Sequence, residues 1–173
     1  DQMTAEIGMR ASITGHMVLS TLHTHDVIST PIRLLDMGVP RYMVALSLQM
    51  VVAQRLVRVI CENCGEAHTP SPAEHEWLKY ELADKVDAYS YKRGSGCSQC
   101  NGTGYTGRTG VYEVLEMTND LVEAINHDDT GMFVQAARKQ MAGQTLRRDA
   151  VRLVVNGRTT IDEAMRISNQ FED

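Results

Sequence analysis

Two cysteine pairs, Cys61-Glu-Asn-Cys64 and Cys97-Ser-Gln-Cys100, constrain this chain more than any other feature. A C-x-x-C segment brings two thiolates within reach of one metal ion. Two such segments complete a tetrahedral four-thiolate shell, which is a preferred shell of structural zinc. Cys61, Cys64, Cys97 and Cys100 are therefore the predicted metal ligands and Zn2+ the predicted ion. Gly65 follows the first pair and Asn101-Gly102 the second. Small or left-handed-tolerant residues there suit tight turns that aim backbone N–H groups at sulfur. A four-thiolate shell leaves no position for water, so it argues for scaffolding and against metal-assisted catalysis. Residues 65–96 lie between the pairs, which is longer than a zinc ribbon normally allows. That stretch must form an excursion of its own, and Trp77, Leu78, Tyr80 and Leu82 offer it a small apolar cluster. Disulfides are the competing use of four cysteines, but no signal peptide precedes them and the remainder reads as intracellular.

A length of 173 residues allows one or two domains. Aromatic content is only 5%, so any core must rest on Leu, Val, Ile, Ala and the ten methionines. A net charge of −5 argues against a general nucleic-acid binder. No apolar run approaches the roughly 20 residues that span a bilayer. Membrane contact is therefore expected only through a partner.

Along the chain, residues 3–13 read as a helix capped by Asp1 or Thr4 and ended by Thr14-Gly15. The opening carries no initiator Met and is expected to belong to a longer chain. Residues 16–22 are mostly apolar and read as a buried strand of a parallel sheet. The polar residues Thr21, His23, Thr24, His25 and Asp26 fall at its carboxyl end, where α/β sheets bind ligands. Residues 27–37 read as a helix closed by Gly38-Val-Pro40. Residues 41–60 read as one long, largely buried helix, with Arg55 and Arg58 near its end. After the cysteines, 111–116 alternate as a strand. Residues 119–127, 131–141 and 146–155 read as helices, and Thr160 with Glu163 forms a capping box for a last one.

No G-x-x-x-x-G-K-[ST] phosphate loop, nucleophile elbow or H-E-x-x-H segment occurs in the chain. The best catalytic candidates are His16 and His23, with His25 nearby, because an imidazole can donate to a phosphate oxygen or orient water. Arg55 is the candidate for pairing with a phosphate or carboxylate. The Arg147-Arg148 and Asp162-Glu163 pairs read as solvated charges.

These residues meet a known pattern. Thr14-Gly-His16-Met-Val-Leu-Ser-Thr-Leu-His23-Thr24 resembles the histidine box of the secretion ATPases, the motors of type II secretion and type IV pilus assembly. Asp1-x-x-Thr4-Ala-Glu-Ile7 is similar to the stretch that follows their Walker B motif. Arg33-Leu-Leu-Asp-Met-Gly38, Ala53-Gln-Arg-Leu-Val-Arg58, the cysteine module and Gly107-Arg-Thr-Gly-Val-Tyr-Glu113 fit in the same order. Within the family the cysteine module is similar to that of assembly (extension) motors, the mannose-sensitive pilus assembly ATPases among them. Met3 stands where many relatives have Glu, and His25 where many have Asn.

The resemblance implies an α/β fold: the C-terminal portion of a RecA/AAA-like P-loop ATPase domain, with an inserted tetracysteine zinc module and a C-terminal helical region. It divides the chain into ATPase core (1–60), zinc module (61–100) and strand plus helical subdomain (101–173). It implies ATP and Mg2+ as cofactors of the complete protein, with His23 near the γ-phosphate and His16 its companion. It further implies a homohexamer that drives an inner-membrane platform protein, without nucleic acid, from a cytoplasmic position peripheral to the inner membrane. The phosphate loop and the Walker B glutamate would lie upstream, leaving this chain inactive alone.

Two other readings stay open. One is a zinc-stabilised interaction module without nucleotide chemistry. The other is a cochaperone of the J-domain kind, because Cys97 to Gly104 matches one copy of its C-x-x-C-x-G-x-G repeat.

Overall fold

The computed structural model describes residues 1–168. The last five positions of the region predicted to run to 173 lie outside the described residues. In chain order the elements are α1 (Gln2–Ile13), α2 (Ser29–Asp36), α3 (Arg41–Ser47), β1 (Met50–Ile60), β2 (Gly65–His68), α4 (Pro72–Leu82), β3 (Tyr91–Gly94), β4 (Tyr105–Glu116), α5 (Asn119–Asn126), α6 (Thr130–Met141), α7 (Leu146–Val155) and α8 (Ile161–Ser168). Short 3₁₀ turns cover Ala83–Ala88 and Ser98–Cys100. The architecture is mixed α/β. Among the described residues β1 pairs with β4 and β2 with β3. Gln49 O accepts from Met117 N–H and Gly104 O accepts from Cys61 N–H, so β1 and β4 run antiparallel.

Two compact units emerge. One comprises residues 1–53 and 113–144, the other residues 54–112 and the chain from Thr145 onward. In the first, Val27, Leu34, Val44, Leu115, Leu121, Ile125 and Phe133 form a core with almost no solvent exposure. Asp1 caps α1, its Oδ1 accepting from Thr4 N–H at 2.8 Å, as the sequence predicts. The buried Glu113 accepts from Val27 N–H at 3.2 Å. In the second unit α7 and α8 pack on each other and α4 touches both. Val57, Leu78, Val86, Val111, Leu146, Val151, Ile161 and Ile167 are its buried apolar residues.

Two predicted elements differ. Residues 41–60 are not one helix: α3 ends at Ser47 and β1 begins at Met50. A run that is apolar on all sides fits a buried helix or a strand equally well. Here the branched residues Val51, Val52, Val57, Val59 and Ile60 favour the pleated form. Along β1, Val51, Ala53, Arg55, Val57 and Val59 are buried or half-buried, and the residues between them are exposed. This is the two-residue period of a strand. Arg55 and Arg58 accordingly lie on a strand, not near a helix C-terminus.

Residues 16–22 are not a buried strand either. They form neither helix nor strand and join no ladder among the described residues, and Met17 and Leu19 are each 89% exposed. A parallel-sheet strand is stabilised by neighbours on both edges and cover on both faces, and the described residues supply neither. The segment's apolar composition fits burial, but its surroundings here do not provide it.

The excursion between the cysteine pairs has a clear local cause. Ser71 accepts from Glu74 N–H while Glu74 accepts from Ser71 N–H at 2.7 Å, a complete capping box with Pro72 in the first turn of α4. Glu74 is buried, and His68 Nε2 lies 3.2 Å from both its oxygens. β2 and β3 then return the chain antiparallel, with Gly65 opposite Gly94 and His68 opposite Tyr91.

Candidate functional site

The four cysteine side chains converge. Cys61 Sγ lies 3.9 Å from Cys97 Sγ, Cys64 Sγ 3.8 Å from Cys100 Sγ, and Cys97 Sγ 3.7 Å from Cys100 Sγ. All four sulfurs fall within 4.8 Å of one another. A tetrahedral shell with metal–sulfur bonds of about 2.3 Å requires sulfurs about 3.8 Å apart, and disulfide sulfurs would be about 2.05 Å apart. The cysteines are free thiols at the spacing of a metal shell, not disulfides. The residues present can hold a metal ion.

The turns do what the spacing suggests. Asn101 takes a left-handed conformation (φ 51°) as the cap of the turn at Ser98–Cys100, and Gly102 and Gly104 also have positive φ. This path brings Cys97 N–H and Gly104 N–H each to 3.2 Å from Cys100 Sγ. Gly94 and Gly104 pack backbone to backbone, and a Cβ on either would collide with the other's carbonyl. Only glycine suits both positions.

The protons are held unevenly. The Cys97 N–H, against the cost of burial and with help from the Gly104 N–H, holds the Cys100 thiol down to about 6. The Thr106 hydroxyl, followed by the Asn63 N–H, lowers Cys61. Desolvation pushes Cys64 up to about 12, with the neighbouring Cys100, Cys61 and Cys97 sulfurs raising it further against the Gly96 N–H. A bound cation reverses that bias, because coordination requires deprotonated sulfur and releases protons.

The histidine segment contrasts with this. His16 is exposed, its Nδ1 3.2 Å from Thr14 Oγ1 and 3.3 Å from Ala11 O. His23 is exposed and makes no hydrogen bond or ion pair among the described residues. His25 is exposed as well. Asp26 serves the backbone, its Oδ1 accepting from Ser29 N–H at 2.6 Å at the start of α2. Thr24 Oγ1 pairs with Thr30 Oγ1 at 2.7 Å. Arg55 is half-buried and donates from Nη1 to Gln54 O at 3.0 Å.

Two charges that read as solvated are not. Glu163 is 1% exposed at its side chain. Its oxygens accept from Arg58 N–H (2.8 Å), Arg58 Nε (3.0 Å) and Nη2 (2.8 Å), and from Arg166 Nε (3.3 Å) and Nη2 (3.1 Å). Burial opposes its ionisation, but the Arg58 side chain, the Arg58 N–H and Arg166 together hold the pKa at about 2. Thr160 does cap α8, its Oγ1 accepting from Glu163 N–H at 3.2 Å. Arg147 stacks on the Trp77 ring (4.7 Å to the centroid) and the Tyr80 ring (4.2 Å), and donates from Nη2 to Trp77 O.

The fold and the cysteine cluster together define a mixed α/β protein with four converging cysteines able to hold a metal ion. Comparison with known proteins makes the class specific. The family model described as "Type II/IV secretion system protein" matches residues 1–166, and the chain belongs to that family. It is 37% identical over 170 residues to type II secretion system protein E of Pseudomonas aeruginosa, covering 98% of this chain and 33% of that protein. It is 38% identical over 172 residues to type II secretion system ATPase E of Vibrio cholerae, again 98% and 33%. It is 35% identical over 170 residues to type IV pilus assembly ATPase PilB of Myxococcus xanthus, covering 95% of this chain and 29% of that protein. The chain thus spans about a third of the length of the curated relatives it matches. Among solved structures, the pilus retraction motor PilT, crystallised with ADP, matches with a TM-score of 0.61 at 22% identity, over 96% of this chain and 36% of that one. That likeness concerns the fold.

Proposed function

We propose that this chain is the downstream part of the motor domain of a secretion or pilus-assembly ATPase, working in the complete protein as an ATP- and Mg2+-dependent homohexamer. The observation that carries this reading is the family match over residues 1–166, with relatives named as the ATPases of both systems. The motor acts from the cytoplasmic side, peripheral to the inner membrane, on a platform protein. Among the described residues no helix is long and apolar enough to cross a membrane, consistent with contact through a partner.

His23 serves as the group near the γ-phosphate, with His16 beside it and Arg55 as an accessory cation. Phosphoryl transfer is mostly positioning and charge stabilisation. An exposed imidazole with no internal partner is available for a phosphate oxygen that other residues must cradle. The 173 residues contain no phosphate loop, so the chain alone is inactive. The four cysteines bind one structural Zn2+, which fixes the excursion and supplies no reactive water.

Steady-state ATP hydrolysis tests the reading. The complete protein should turn over ATP, and His23→Ala should lower turnover by more than it lowers nucleotide affinity. The isolated chain should match its own His23→Ala control. Turnover by the isolated chain well above that control refutes the assignment of the phosphate cradle to other residues. Wild-type turnover in the complete His23→Ala protein removes His23 from the site. Absence of any nucleotide binding by the complete protein leaves the zinc-stabilised interaction module as the better description.

A further inference from the structure

The region around Glu163 has a feature that the motor reading does not use. Leu56, Arg58, Arg108, Glu163 and Arg166 line an open cleft of about 500 Å3, within the usual range for small-ligand sites. Three guanidinium groups and one carboxylate line it, an excess of positive charge that Asp162, which also acts on Arg58 but pairs with Arg93 at 3.7 Å, offsets only in part, in a chain whose net charge is −5.

The cations are not equivalent. Arg58 is fixed by its two side-chain bonds to Glu163 and by stacking 4.0 Å over the Tyr105 ring, whose hydroxyl is held by Thr160 Oγ1 at 2.9 Å. Arg166 is fixed by two bonds to the same carboxylate. In both, Nη1 makes no hydrogen bond among the described residues. Arg108 is exposed on the Gly107-Arg-Thr-Gly110 stretch of β4, and its side chain makes no hydrogen bond or ion pair among the described residues. The Glu163 oxygens already accept five N–H donors and are shielded from solvent. A ligand in the cleft therefore meets guanidinium, not carboxylate.

We propose that this cleft binds a phosphate dianion carried on a small soluble molecule, gripped by Arg108 with Arg58 and Arg166 beside it. The excess of guanidinium over carboxylate in the lining favours an anion, and a dianion engages more of it than a single carboxylate would. A guanidinium fork matches the oxygen spacing of a phosphate. Two of the three forks are held in place before binding, which lowers the ordering cost. The partly exposed Leu56 borders the remaining space and suits the non-phosphate part of the ligand. The inference is independent of the nucleotide chemistry assigned to His23.

The test follows the arginine Nε–H signals by NMR while inorganic phosphate is titrated in at constant ionic strength. Arg108 and Arg58 should shift saturably, and Arg108→Ala should weaken binding about tenfold, with Arg108→Lys intermediate. Because the Arg108 side chain bonds to nothing within the described structure, the variant should keep its circular dichroism and its zinc content, which are checked in parallel. Acetate at the same ionic strength should bind markedly less well. Equal affinity for acetate and phosphate, or unchanged phosphate binding in Arg108→Ala, overturns the proposal. Arg108-dependent binding to phosphatidylcholine vesicles containing phosphatidic acid, without any response to free phosphate, overturns the soluble source.

Discussion

The segment from Cys61 to Gly104 and the segment from His16 to His25 carry the two most recognisable motifs of the chain, yet they differ in how far the chain completes them. The cysteine segment closes on itself. Its sulfurs face one another, two backbone N–H groups point at Cys100 Sγ, and its turn residues adopt the left-handed conformations that suit them. The histidine segment is more open: Met17, Leu19 and His23 are exposed, and His16 bonds to Thr14 and Ala11. A motif whose chemistry is satisfied by its own neighbours takes its functional geometry from short-range sequence. A motif that acts on a ligand shared with other residues shows only its identity.

The largest test of this contrast is removal of a thiolate. On the proposed zinc assignment, Cys100→Ser should abolish zinc uptake, measured by elemental analysis. It should also strip hydrogen-exchange protection from α4, β2 and β3, since structural zinc supplies on the order of 10 kcal/mol of binding free energy that folding uses. Full zinc occupancy in the variant breaks the comparison. Because coordination needs thiolates, zinc retention should also fall as pH is lowered.

Next is Glu163. Glu163→Ala leaves Arg58 N–H and two guanidinium groups without their acceptor, and should cost about 3 kcal/mol in denaturant unfolding. The same carboxylate sets a pH dependence. Its folded pKa of about 2 lies below the ordinary value of 4.5, so its contribution is complete above pH 4.5 and is lost as pH falls from there towards 2. The Arg58 and Arg166 side chains are each 51% exposed, so water screens the pair and the loss should be on the order of 2 kcal/mol. Acid unfolding of Glu163→Gln should lack that component.

Smaller again is Arg147→Ala, which removes the stacking on Trp77 and Tyr80 and should cost about 1–2 kcal/mol, seen as a lowered Tm. The smallest effect should come from the other region. His23→Ala, at an exposed side chain, should change stability by less than about 0.5 kcal/mol. A large loss of stability there would show that the histidine segment is structural after all.

The legible parts of this fold are those with short-range causes. Asp1 and Thr160 are readable as caps, and α5, α6 and α7 follow from their apolar periodicity. The cysteine cluster follows from spacing alone. The Ser71-Pro-x-Glu74 box that starts α4 is equally available in the sequence, with Ser or Thr three residues before Glu as its mark. The rest depends on separation. The apolar pattern of the run 41–60 fits a buried helix as well as a strand; its branched residues lean towards the strand, and pairing with residues 105–116 decides it. Glu163 reads as solvated because its partner Arg58 lies 105 positions away. Arg147 likewise meets Trp77 across 70 positions. No periodicity in a single sequence encodes such pairings.

The β2–β3 ladder and the cysteine quartet together form a clasp at the base of the excursion, fastening residue 61 to 97 and 64 to 100. Once a clasp is shut, the length of what it encloses matters little: doubling an enclosed loop costs only about 0.6 kcal/mol. The clasp sets where the excursion leaves and rejoins the chain, but what lies between is not free in content, because Leu78 and Val86 are buried and α4 packs on α7 and α8. An insertion designed into this module is therefore best placed at exposed positions such as Asp84 and Lys85, where added length leaves those buried residues in place.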